Sequence, residues 1–243
     1  MATTPRGKFK FHFSASGAAP GGETANAAKI VRAARRLLIR EGFATFSARG
    51  VAKQAKMSLG ALQYCYRTKR ALIAATLEHV VDGYESGYAT RLRTAPASGE
   101  ARFLAILDFL IDDIWDQNSR KLFLPLWGMS THDRMIAGFL HEMYEFHVAR
   151  MSGFIGEANP RLSPARRRQL AVHIIAMLEG LLLFSQRPGR NILARSEMTR
   201  TTRETVISLI GLLPRRTEPA GAGNDSPAST VIGQACSSSK ESQ

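Results

Sequence analysis

The chain has 243 residues, of which 44% are hydrophobic, and a formal net charge of +13. This length holds one or two domains with sizeable cores, and the hydrophobic share argues against disorder throughout. No run reaches the ~18 apolar residues of a membrane-spanning helix, and the N-terminus lacks the apolar core of a signal peptide. Two cysteines, Cys65 and Cys236, are too few for a disulfide framework, so a cytoplasmic protein is expected.

The positive charge is concentrated near the N-terminus. Residues 1–70 contain 14 Lys and Arg against two acidic residues, whereas residues 71–243 contain 19 against 18. Neutralisation of phosphates dominates non-specific affinity for DNA. The asymmetry therefore favours double-stranded DNA as a partner. The alternatives are a solvated basic face or a membrane-surface patch, and no membrane partner is expected.

Residues 1–23 are rich in Gly, Ala, Ser and Pro and are expected to form a flexible basic arm. This arm either follows the DNA minor groove or remains a solvated tail. Thr24 to Glu41 is the first predicted helix, and Gly42 is its expected stop. Four apolar residues at helical spacing form its buried face: Ile30, Ala34, Leu37 and Leu38.

Two short helices joined by a tight turn come next. Ser47 can cap a helix running to about Gln54, and Ser58 can cap a second running to about Tyr66. A serine hydroxyl suits both positions because it accepts a hydrogen bond from an unpaired amide in the first turn. This spacing is typical of a helix-turn-helix, whose second helix enters the DNA major groove.

The second of these helices divides into a buried and an exposed side. Leu62 is expected to point into the core, which leaves Leu59, Ala61, Gln63 and Tyr64 facing outwards. Gln63 can pair bidentately with adenine and Ala61 can touch a thymine methyl, whereas Tyr64 is expected to donate its hydroxyl to a phosphate.

The next helix is predicted from Lys69 to about Leu92, with Thr68 as its cap. Lys69 and the N-terminal amides of this helix are expected to face phosphate, since helix starts favour anions. Gly60, at the start of the preceding helix, has no side chain to prevent a close approach to the DNA backbone.

The segment FSARGVAKQAKMSLGALQYCYRTKRAL resembles the DNA-binding signature of the TetR-type bacterial repressors. The matching residues are Val51, Ala52, Ser58, Gly60, Leu62, Tyr64, Tyr66, Lys69 and Leu72. The resemblance, continuous from about Ala28 to Leu77, implies a first helix packed across the helix-turn-helix, with its start near phosphates. The DNA-binding residues expected on these grounds are Lys29, Arg32, Ser47, Ser58, Leu59, Gly60, Ala61, Gln63, Tyr64, Thr68 and Lys69.

Two residues depart from what this motif usually contains. Lys56 occupies the turn position where the family usually has Gly, and a left-handed residue with a side chain costs roughly 1 kcal/mol or more. Either the turn geometry differs or Lys56 accepts this strain. Gly50 lies inside the first short helix, where we expect it to allow close packing against the fourth helix.

The rest of the chain is helical in pattern, without strand alternation or internal repeats. Predicted helices cover about 100–118, 119–129, 131–155, 165–186 and 199–213, and Pro125 is expected to shorten or kink the second of these. The fold class is therefore all-α: a three-helix bundle with helix-turn-helix (24–70), a larger helical effector-binding and dimerisation domain (71–213), and a disordered tail (214–243).

The sequence contains no recognisable catalytic, metal-binding or cofactor-binding constellation. It has no HExxH, paired CxxC, Gly-rich phosphate loop or GxSxG motif, so no enzyme activity is expected. Asp112, Asp113 and Asp116 are interpreted as solvated helix surface in preference to an acid–base pair.

The larger domain is expected to dimerise and to hold a small effector. The resemblance implies that the last two long helices meet their copies, with an interface at Met177, Leu178, Leu181, Val206, Leu209 and Ile210; packing in the protomer's own core is the alternative. An apolar pocket is predicted from Phe103, Leu107, Trp115, Phe123, Trp127, Met143, Phe146, His147 and Met177, which suggests a hydrophobic or aromatic ligand.

The sequence thus predicts a homodimeric, nucleoid-associated transcriptional regulator. Its expected action is repression that a small-molecule effector relieves by moving the helix that starts at Lys69. The alternative function is that of an architectural protein that binds any duplex through the basic region alone.

Overall fold

The computed structural model describes residues 25–184 and 194–212. Their helices, in chain order, are α1 (Ala25–Thr45), α2 (Ala48–Gln54), α3 (Leu59–Cys65), α4 (Lys69–Thr94), α5 (Gly99–Trp115), α6 (Gln117–Ser130), α7 (Arg134–Ala158), α8 (Pro164–Phe184) and α9 (Arg195–Leu209). No strand occurs in these ranges, which confirms the all-α prediction. The predicted arm and tail lie outside the described residues.

The apolar face of α1 organises the N-terminal end of the fold. Ile30, Ala34, Leu37 and Leu38 are all buried, as the periodicity predicts. α1 packs against α2, α4 and α6. Gly42, with φ 76° and ψ 177°, interrupts the helical geometry before the assigned end of α1, so the predicted break is confirmed.

All three predicted caps are present. The hydroxyl of Ser47 accepts from the Gly50 amide at 3.1 Å, that of Ser58 from the Ala61 amide at 3.1 Å, and that of Thr68 from the Ala71 amide at 3.0 Å. Each bond satisfies an amide that has no partner within its own helix. The caps therefore define where α2, α3 and α4 begin.

The turn between α2 and α3 accepts strain at Lys56. Its φ is +52°, and no other non-glycine residue in the described ranges has a positive φ. The Met57 amide, which follows it, donates to the Ala52 carbonyl at 3.0 Å and closes the turn. The left-handed geometry typical of the motif is thus kept although the residue is not glycine.

The expectation for Gly50 was wrong in its partner. A Cβ added there would lie 3.0 Å from Cδ2 of Leu37, which belongs to α1 and not to the fourth helix. The missing side chain of Gly50 therefore allows α2 to lie close to α1.

The larger helical body is built around α7, which packs against α5, α6 and α8. Two boundaries differ from the prediction because aspartates cap the helices. Asp116 accepts from the Ser119 amide at 2.8 Å, so α5 ends and α6 begins earlier than expected. Asp133 accepts from the Met135 amide at 2.8 Å, which places the start of α7 at Arg134. No helix in 25–184 or 194–212 has the length and hydropathy to cross a membrane.

Candidate DNA-binding surface and ligand cavity

α3 presents the side chains that the sequence predicts to contact DNA. Ala61 and Gln63 are exposed, the Tyr64 side chain is 79% exposed, and Leu59 is half-buried. Leu62, on the opposite side, is fully buried. The core thus holds one side of the helix while the other remains available to a partner.

The buried side of α3 is closed by Tyr66. Its ring is 8% exposed, and burial raises the pKa of its hydroxyl to about 12. At the other end of the helix, a Cβ added to Gly60 would have no neighbour within 4 Å. The space in front of this glycine is open to a closely approaching backbone.

Basic side chains near α3 differ in how far they are engaged within the chain. Arg40 donates to the carboxylate of Glu41 at 2.7 Å and to the amide oxygen of Gln54 at 3.2 Å. Lys29 and Arg32 are exposed and make no ion pair with another described residue. This difference favours Lys29 and Arg32, which are among the predicted DNA-binding residues, over Arg40 as phosphate contacts.

Lys69 lies at the start of α4, and its Nζ is 5.9 Å from the centroid of the buried Phe46 ring. A cation over an aromatic face is attracted by the ring quadrupole. The ring orients an exposed lysine beside the N-terminal amides of a 26-residue helix. Both features place positive charge at this end of the helix.

A partly open cavity lies within the helical body between α4, α5, α6, α7 and α8. Its volume is about 50 Å³ for the centre of a water-sized probe. Aliphatic side chains form much of the wall, and its aromatic residues are Tyr84, Phe123 and His147. Two carboxyl groups also line it, those of Asp113 and Glu179.

Asp113 accepts two hydrogen bonds across this cavity. The Tyr84 hydroxyl donates to Oδ2 at 2.6 Å, and the Ser119 hydroxyl donates to Oδ1 at 2.6 Å. Burial raises the pKa of Asp113, while both donors oppose the rise because they stabilise the carboxylate. The interpretation of Asp113 as solvated surface was therefore wrong, whereas Asp112 is exposed and pairs with Arg91 at 3.2 Å.

His147 is buried in the wall and is uncharged at neutral pH. Burial lowers its pKa to about 4. Its Nδ1 lies 3.0 Å from the Tyr88 hydroxyl, and its ring stands perpendicular to that of Tyr84 with centroids 4.8 Å apart. Its Nε2 makes no hydrogen bond to another described residue, so this atom is available to a ligand.

Glu179 carries the second carboxyl group of the cavity. Burial raises its pKa to about 7, and the negative charge of Asp113 adds to the rise. Within the described residues the Glu179 carboxyl forms neither a hydrogen bond nor an ion pair. The cavity consequently holds a carboxyl group that ionises only at a cost in free energy.

Of the nine predicted pocket residues, Phe123, Met143 and His147 line this cavity. The other six lie elsewhere and do not form its wall: Phe103, Leu107, Trp115, Trp127, Phe146 and Met177. Phe103 and Leu107 are fully buried in the core, and Trp115 lies beneath the guanidinium of Arg195, 5.5 Å from its ring centroid. Sequence reasoning missed Tyr84, Ser119, Asp113 and Glu179.

A usable signal for the two acids existed in the helical periodicity. Asp113 follows Ile106 and Leu110 on the buried stripe of α5, at steps of four and three residues. Glu179 lies four residues after Ile175 on the buried side of α8. A carboxylate within an apolar stripe indicates a polar cavity or a buried partner.

The six predicted interface residues divide into two groups. Leu178, Val206 and Ile210 are buried within the protomer, which is the alternative foreseen for them, while Met177 and Leu181 are half-buried and Leu209 is exposed. Other large apolar side chains on α8 are exposed instead, namely Val172, Leu183 and Phe184. With Ala176 and Gly180, Val172 and Leu183 form an apolar stripe on the outside of α8, called the α8 stripe below.

Comparison with known proteins agrees with this architecture. Residues 30–76 match the family described as "Bacterial regulatory proteins, tetR family". The chain is 27% identical over 171 residues to the HTH-type transcriptional regulator BetI of Cronobacter sakazakii, an alignment covering 69% of this chain and 83% of that protein.

Solved structures share the fold at low sequence identity. A TetR transcription regulator from Haloarcula marismortui superposes with a TM-score of 0.63 at 16% identity, covering 77% of this chain and 97% of the other. A protein from Saccharomonospora viridis, solved in complex with choline, superposes with a TM-score of 0.61 at 16% identity, covering 74% and 94%.

The structure combines a helix-turn-helix, whose second helix is exposed, with a helical body. This architecture is typical of DNA-binding transcriptional regulators. Within that class, residues 30–76 are similar to the DNA-binding region of the TetR family, and the relative from Cronobacter sakazakii is a regulator of the same kind. The relatives it matches are named as regulators and not as enzymes. In the described residues, no three His, Cys, Asp or Glu side chains are grouped to hold a metal ion.

Proposed function

We propose that this protein is a homodimeric, sequence-specific repressor that a small-molecule effector releases from its operator. The observation that carries the proposal is the outward side of α3, where Ala61, Gln63 and Tyr64 stand exposed over a buried Leu62. Gln63 and Ala61 supply base contacts in the major groove, and Tyr64 contacts a phosphate. The positive charges of Lys29, Arg32 and Lys69 attract the phosphates of the DNA backbone.

The α8 stripe is the proposed dimer contact, with Leu209 of α9 contributing. A helix-turn-helix protein generally reads two half-sites about 34–36 Å apart or a multiple of that distance, and two-fold symmetry meets this requirement. The stripe is apolar and exposed in the protomer. In a two-fold dimer the stripe of each chain would pack against the stripe of the other chain, so both would be buried. Leu178, Val206 and Ile210 instead support the stripe from within the protomer.

The cavity between α4 and α8 is the proposed effector site. Choline in the Saccharomonospora viridis complex supports a small-molecule ligand for this fold. Tyr84 connects the cavity to α4, whose first residue is Lys69. An ion pair between Arg70 and Asp133, 3.3 Å long, also joins the start of α4 to the start of α7. A ligand that binds more tightly when α4 takes a different position would shift the protein towards that position. The size of this shift is limited by the ligand's difference in affinity for the two positions of α4.

The proposal is tested with the Gln63→Ala/Tyr64→Ala double variant. Operator DNA is taken from the region upstream of the protein's own gene, and affinity is measured beside a scrambled duplex. Loss of the preference for operator, with dimerisation retained, is the expected outcome, because base readout is lost without loss of fold. Gln117→Ala, an exposed change on α6, is the matched control. Unchanged operator affinity in the double variant contradicts the assignment of α3.

The charge asymmetry favours architectural DNA binding as the second candidate function. In that case the wild-type protein has nearly equal affinity for operator and scrambled DNA at every salt concentration. A specificity ratio well above one, maintained across a salt series, contradicts it.

A further inference from the structure

An open cleft, called the basic cleft below, lies where α1 meets α4 and α6. Its volume is about 430 Å³, and residues of three helices line it: Arg32, Arg35, Arg36 and Ile39 of α1, His79 of α4 and Asn118 of α6. Every polar side chain in this set can donate a hydrogen bond, and no carboxyl group of a described residue belongs to it. The walls therefore present donors and positive charge to an occupant.

Three arginines stand on one face of α1 at this cleft. Arg35 and Arg36 follow Arg32 at steps of three and four residues, so the three side chains are neighbours on the helix surface. All three are exposed, and none forms a hydrogen bond or an ion pair with another described residue. Like charges at this spacing destabilise a helix, and an anion bound between them would remove the repulsion.

Three carboxylates act near the basic cleft, but none of them lines it. Asp82 of α4 acts on the charge of His79, and the guanidinium of Arg35 acts on Asp113. Asp113 already accepts two hydrogen bonds inside the helical body. Asp116, the N-cap of α6, accepts from an amide of its own helix. Positive charge therefore remains in excess on the walls of the cleft.

His79 lies in the positive potential of these arginines. Burial lowers its pKa most, the charges of Arg35 and Arg32 lower it further, and the charge of Asp82 opposes the decrease. The imidazole is therefore mostly uncharged at neutral pH, and one ring nitrogen carries a proton. His79 makes no hydrogen bond to another described residue, so this proton is available to an acceptor in the cleft.

The donor set of the basic cleft suits a phosphate-type anion. A guanidinium presents several N–H groups in one plane and pairs with two oxygens of a phosphate at once. Arg35 and Arg36 approach from α1, whereas His79 and Asn118 approach from two other helices. A tetrahedral anion has oxygens on every side to meet these donors, whereas a carboxylate has two oxygens in a single plane.

The cleft differs in position from the surface that is predicted to contact DNA. His79 lies ten residues after Lys69, which places it about 15 Å along α4 from the end that faces DNA. Of the residues that line the cleft, only Arg32 is also among the predicted DNA contacts. The wall formed by His79 and Asn118 is thus set back from the start of α4, which favours a small free anion over the DNA backbone as the occupant.

The basic cleft also differs in charge from the proposed effector cavity. A space of about 230 Å³ lies between them; it shares Arg35 and His79 with the cleft, and Tyr84 and Asp113 with the cavity. The cavity contains the carboxyl groups of Asp113 and Glu179. An anion is therefore repelled by the cavity and attracted by the cleft.

We propose that the basic cleft is a binding site for a small phosphate-type anion, separate from the effector cavity and from the DNA-reading surface. Arg35 and Arg36 bind its oxygens, and His79 and Asn118 donate to it from the other walls. Since α1 belongs to the DNA-binding part and α6 to the helical body, the bound anion joins the two parts. The site does not depend on which effector the cavity binds.

The test uses the full-length protein without DNA, with inorganic phosphate as the probe. Calorimetry at pH 8 measures its binding, and acetate at the same ionic strength is the monovalent comparison. We expect a dissociation constant of about 1 mM or below for phosphate, and affinity at least about tenfold higher than for acetate. Equal affinity for the two anions, or no phosphate binding below about 10 mM, would overturn the proposal.

Arg35→Gln/Arg36→Gln removes two charges from the cleft and leaves Arg32 in place. This variant is expected to lose about tenfold or more of its phosphate affinity, and circular dichroism verifies that it is folded. Arg93→Gln/Arg161→Gln, which removes two exposed charges elsewhere, is the matched control and should bind phosphate as the wild type does. An equal loss in both variants would show that only the net charge attracts the anion.

The stability of the protein provides an independent readout. Phosphate at ten times its dissociation constant should raise the folding equilibrium constant of the wild type about elevenfold, because the anion binds the folded state. Urea unfolding measures this gain, which the Arg93→Gln/Arg161→Gln control should share. The gain should be absent from Arg35→Gln/Arg36→Gln at the same phosphate concentration, and an equal gain in all three proteins would contradict a site in the cleft.

Binding to operator DNA separates a free anion from the DNA backbone as the occupant. In phosphate-free buffer, Arg35→Gln/Arg36→Gln should keep the operator affinity and the salt dependence of the wild type. A loss of operator affinity, with a salt dependence shallower by about one or two released counterions, would assign these arginines to the DNA backbone and overturn the proposal.

Discussion

At the scale of single residues, strain and buried charge are placed at two points in this protein. Lys56 holds a left-handed backbone conformation in the turn before the recognition helix. Glu179 holds a carboxyl group in the cavity that has no hydrogen-bond or ion-pair partner among the described residues. Each raises the free energy of the folded state, and each lies at a proposed binding surface.

Lys56→Gly should stabilise the protein. Relief of the left-handed conformation gains roughly 1–2 kcal/mol, from which the greater entropy of an unfolded glycine subtracts roughly 0.5–1 kcal/mol. The net gain, about 0.5 kcal/mol, is measured by urea unfolding. Lys53→Gly, inside α2, is the control and should lose about 1 kcal/mol. A less stable Lys56→Gly variant would show that the turn carries no strain.

Glu179→Gln should stabilise the protein at alkaline pH only. Burial raises the folded-state pKa of Glu179 from the ordinary 4.5 of a glutamate to about 7, so folding favours the protonated form. The ionised form therefore destabilises the fold by up to about 3 kcal/mol above pH 7, and this cost vanishes as pH falls towards 4.5. Unfolding free energies of both proteins, compared at pH 8 and pH 5, verify this. A difference independent of pH would contradict it.

His147 has the opposite dependence. Burial lowers its folded-state pKa from the ordinary 6.5 of a histidine to about 4, so the unfolded state binds the proton first. Stability from this group is lost as pH falls from about 6.5 to 4. In the wild type, the stability gained in the acid range as Glu179 takes up a proton opposes the stability lost through His147. Glu179→Gln removes that gain, so the stability of this variant should fall more steeply with decreasing pH.

At the scale of elements, the helices are joined by close backbone contacts as well as by side chains. Gly99 begins α5 directly against the end of α7. A Cβ added there would lie 1.9 Å from the carbonyl oxygen of Glu157, and backbone cannot yield as a flexible side chain does. The contact is supported by Arg102, which donates to the Glu157 carboxylate at 2.7 Å.

Gly99→Ala should therefore destabilise the protein strongly, by roughly 3 kcal/mol or more, because α5 has to move away from α7. Gly153→Ala provides the matched control. That glycine lies within α7, where an added Cβ meets nothing within 4 Å, and the change should gain about 0.5–1 kcal/mol of helix propensity. Thermal unfolding of the two variants compares them directly. Equal stabilities would refute the close contact.

At the scale of the whole molecule, the proposed function requires two copies of the chain to place their α3 helices on the same DNA. The α8 stripe is exposed in the protomer and apolar. Apolar surface of this kind on a helix favours association, whereas an ionised side chain there opposes it.

Val172→Glu/Leu183→Glu should convert the protein to monomers and weaken operator binding, since the two half-sites are then bound independently. Sedimentation measures the oligomeric state, and Ala149→Glu, on the exposed side of α7, is the control that should remain dimeric. A dimer that persists in the double variant would move the interface to another surface.

Much of this protein followed from local sequence. The caps at Ser47, Ser58 and Thr68, the break at Gly42 and the buried face of α1 all depend on residues within a few positions of one another. Hydrogen-bond geometry and helical periodicity therefore suffice to predict them. For Lys56 the sequence left open whether the turn changes or the residue accepts strain, and the structure shows the left-handed conformation.

Tertiary structure alone decided which apolar and acidic residues face which neighbour. Leu178 and Val206 share the periodicity of an interface but pack inside the protomer. Asp113 lies on the buried stripe of α5, but the cavity that it faces is formed by other helices. Burial depends on the partner helix that covers a residue, and that partner is distant in sequence. The DNA-reading helix was thus determined by its own segment, whereas the acidic cavity exists only because five helices, from α4 to α8, meet around Asp113 and Glu179.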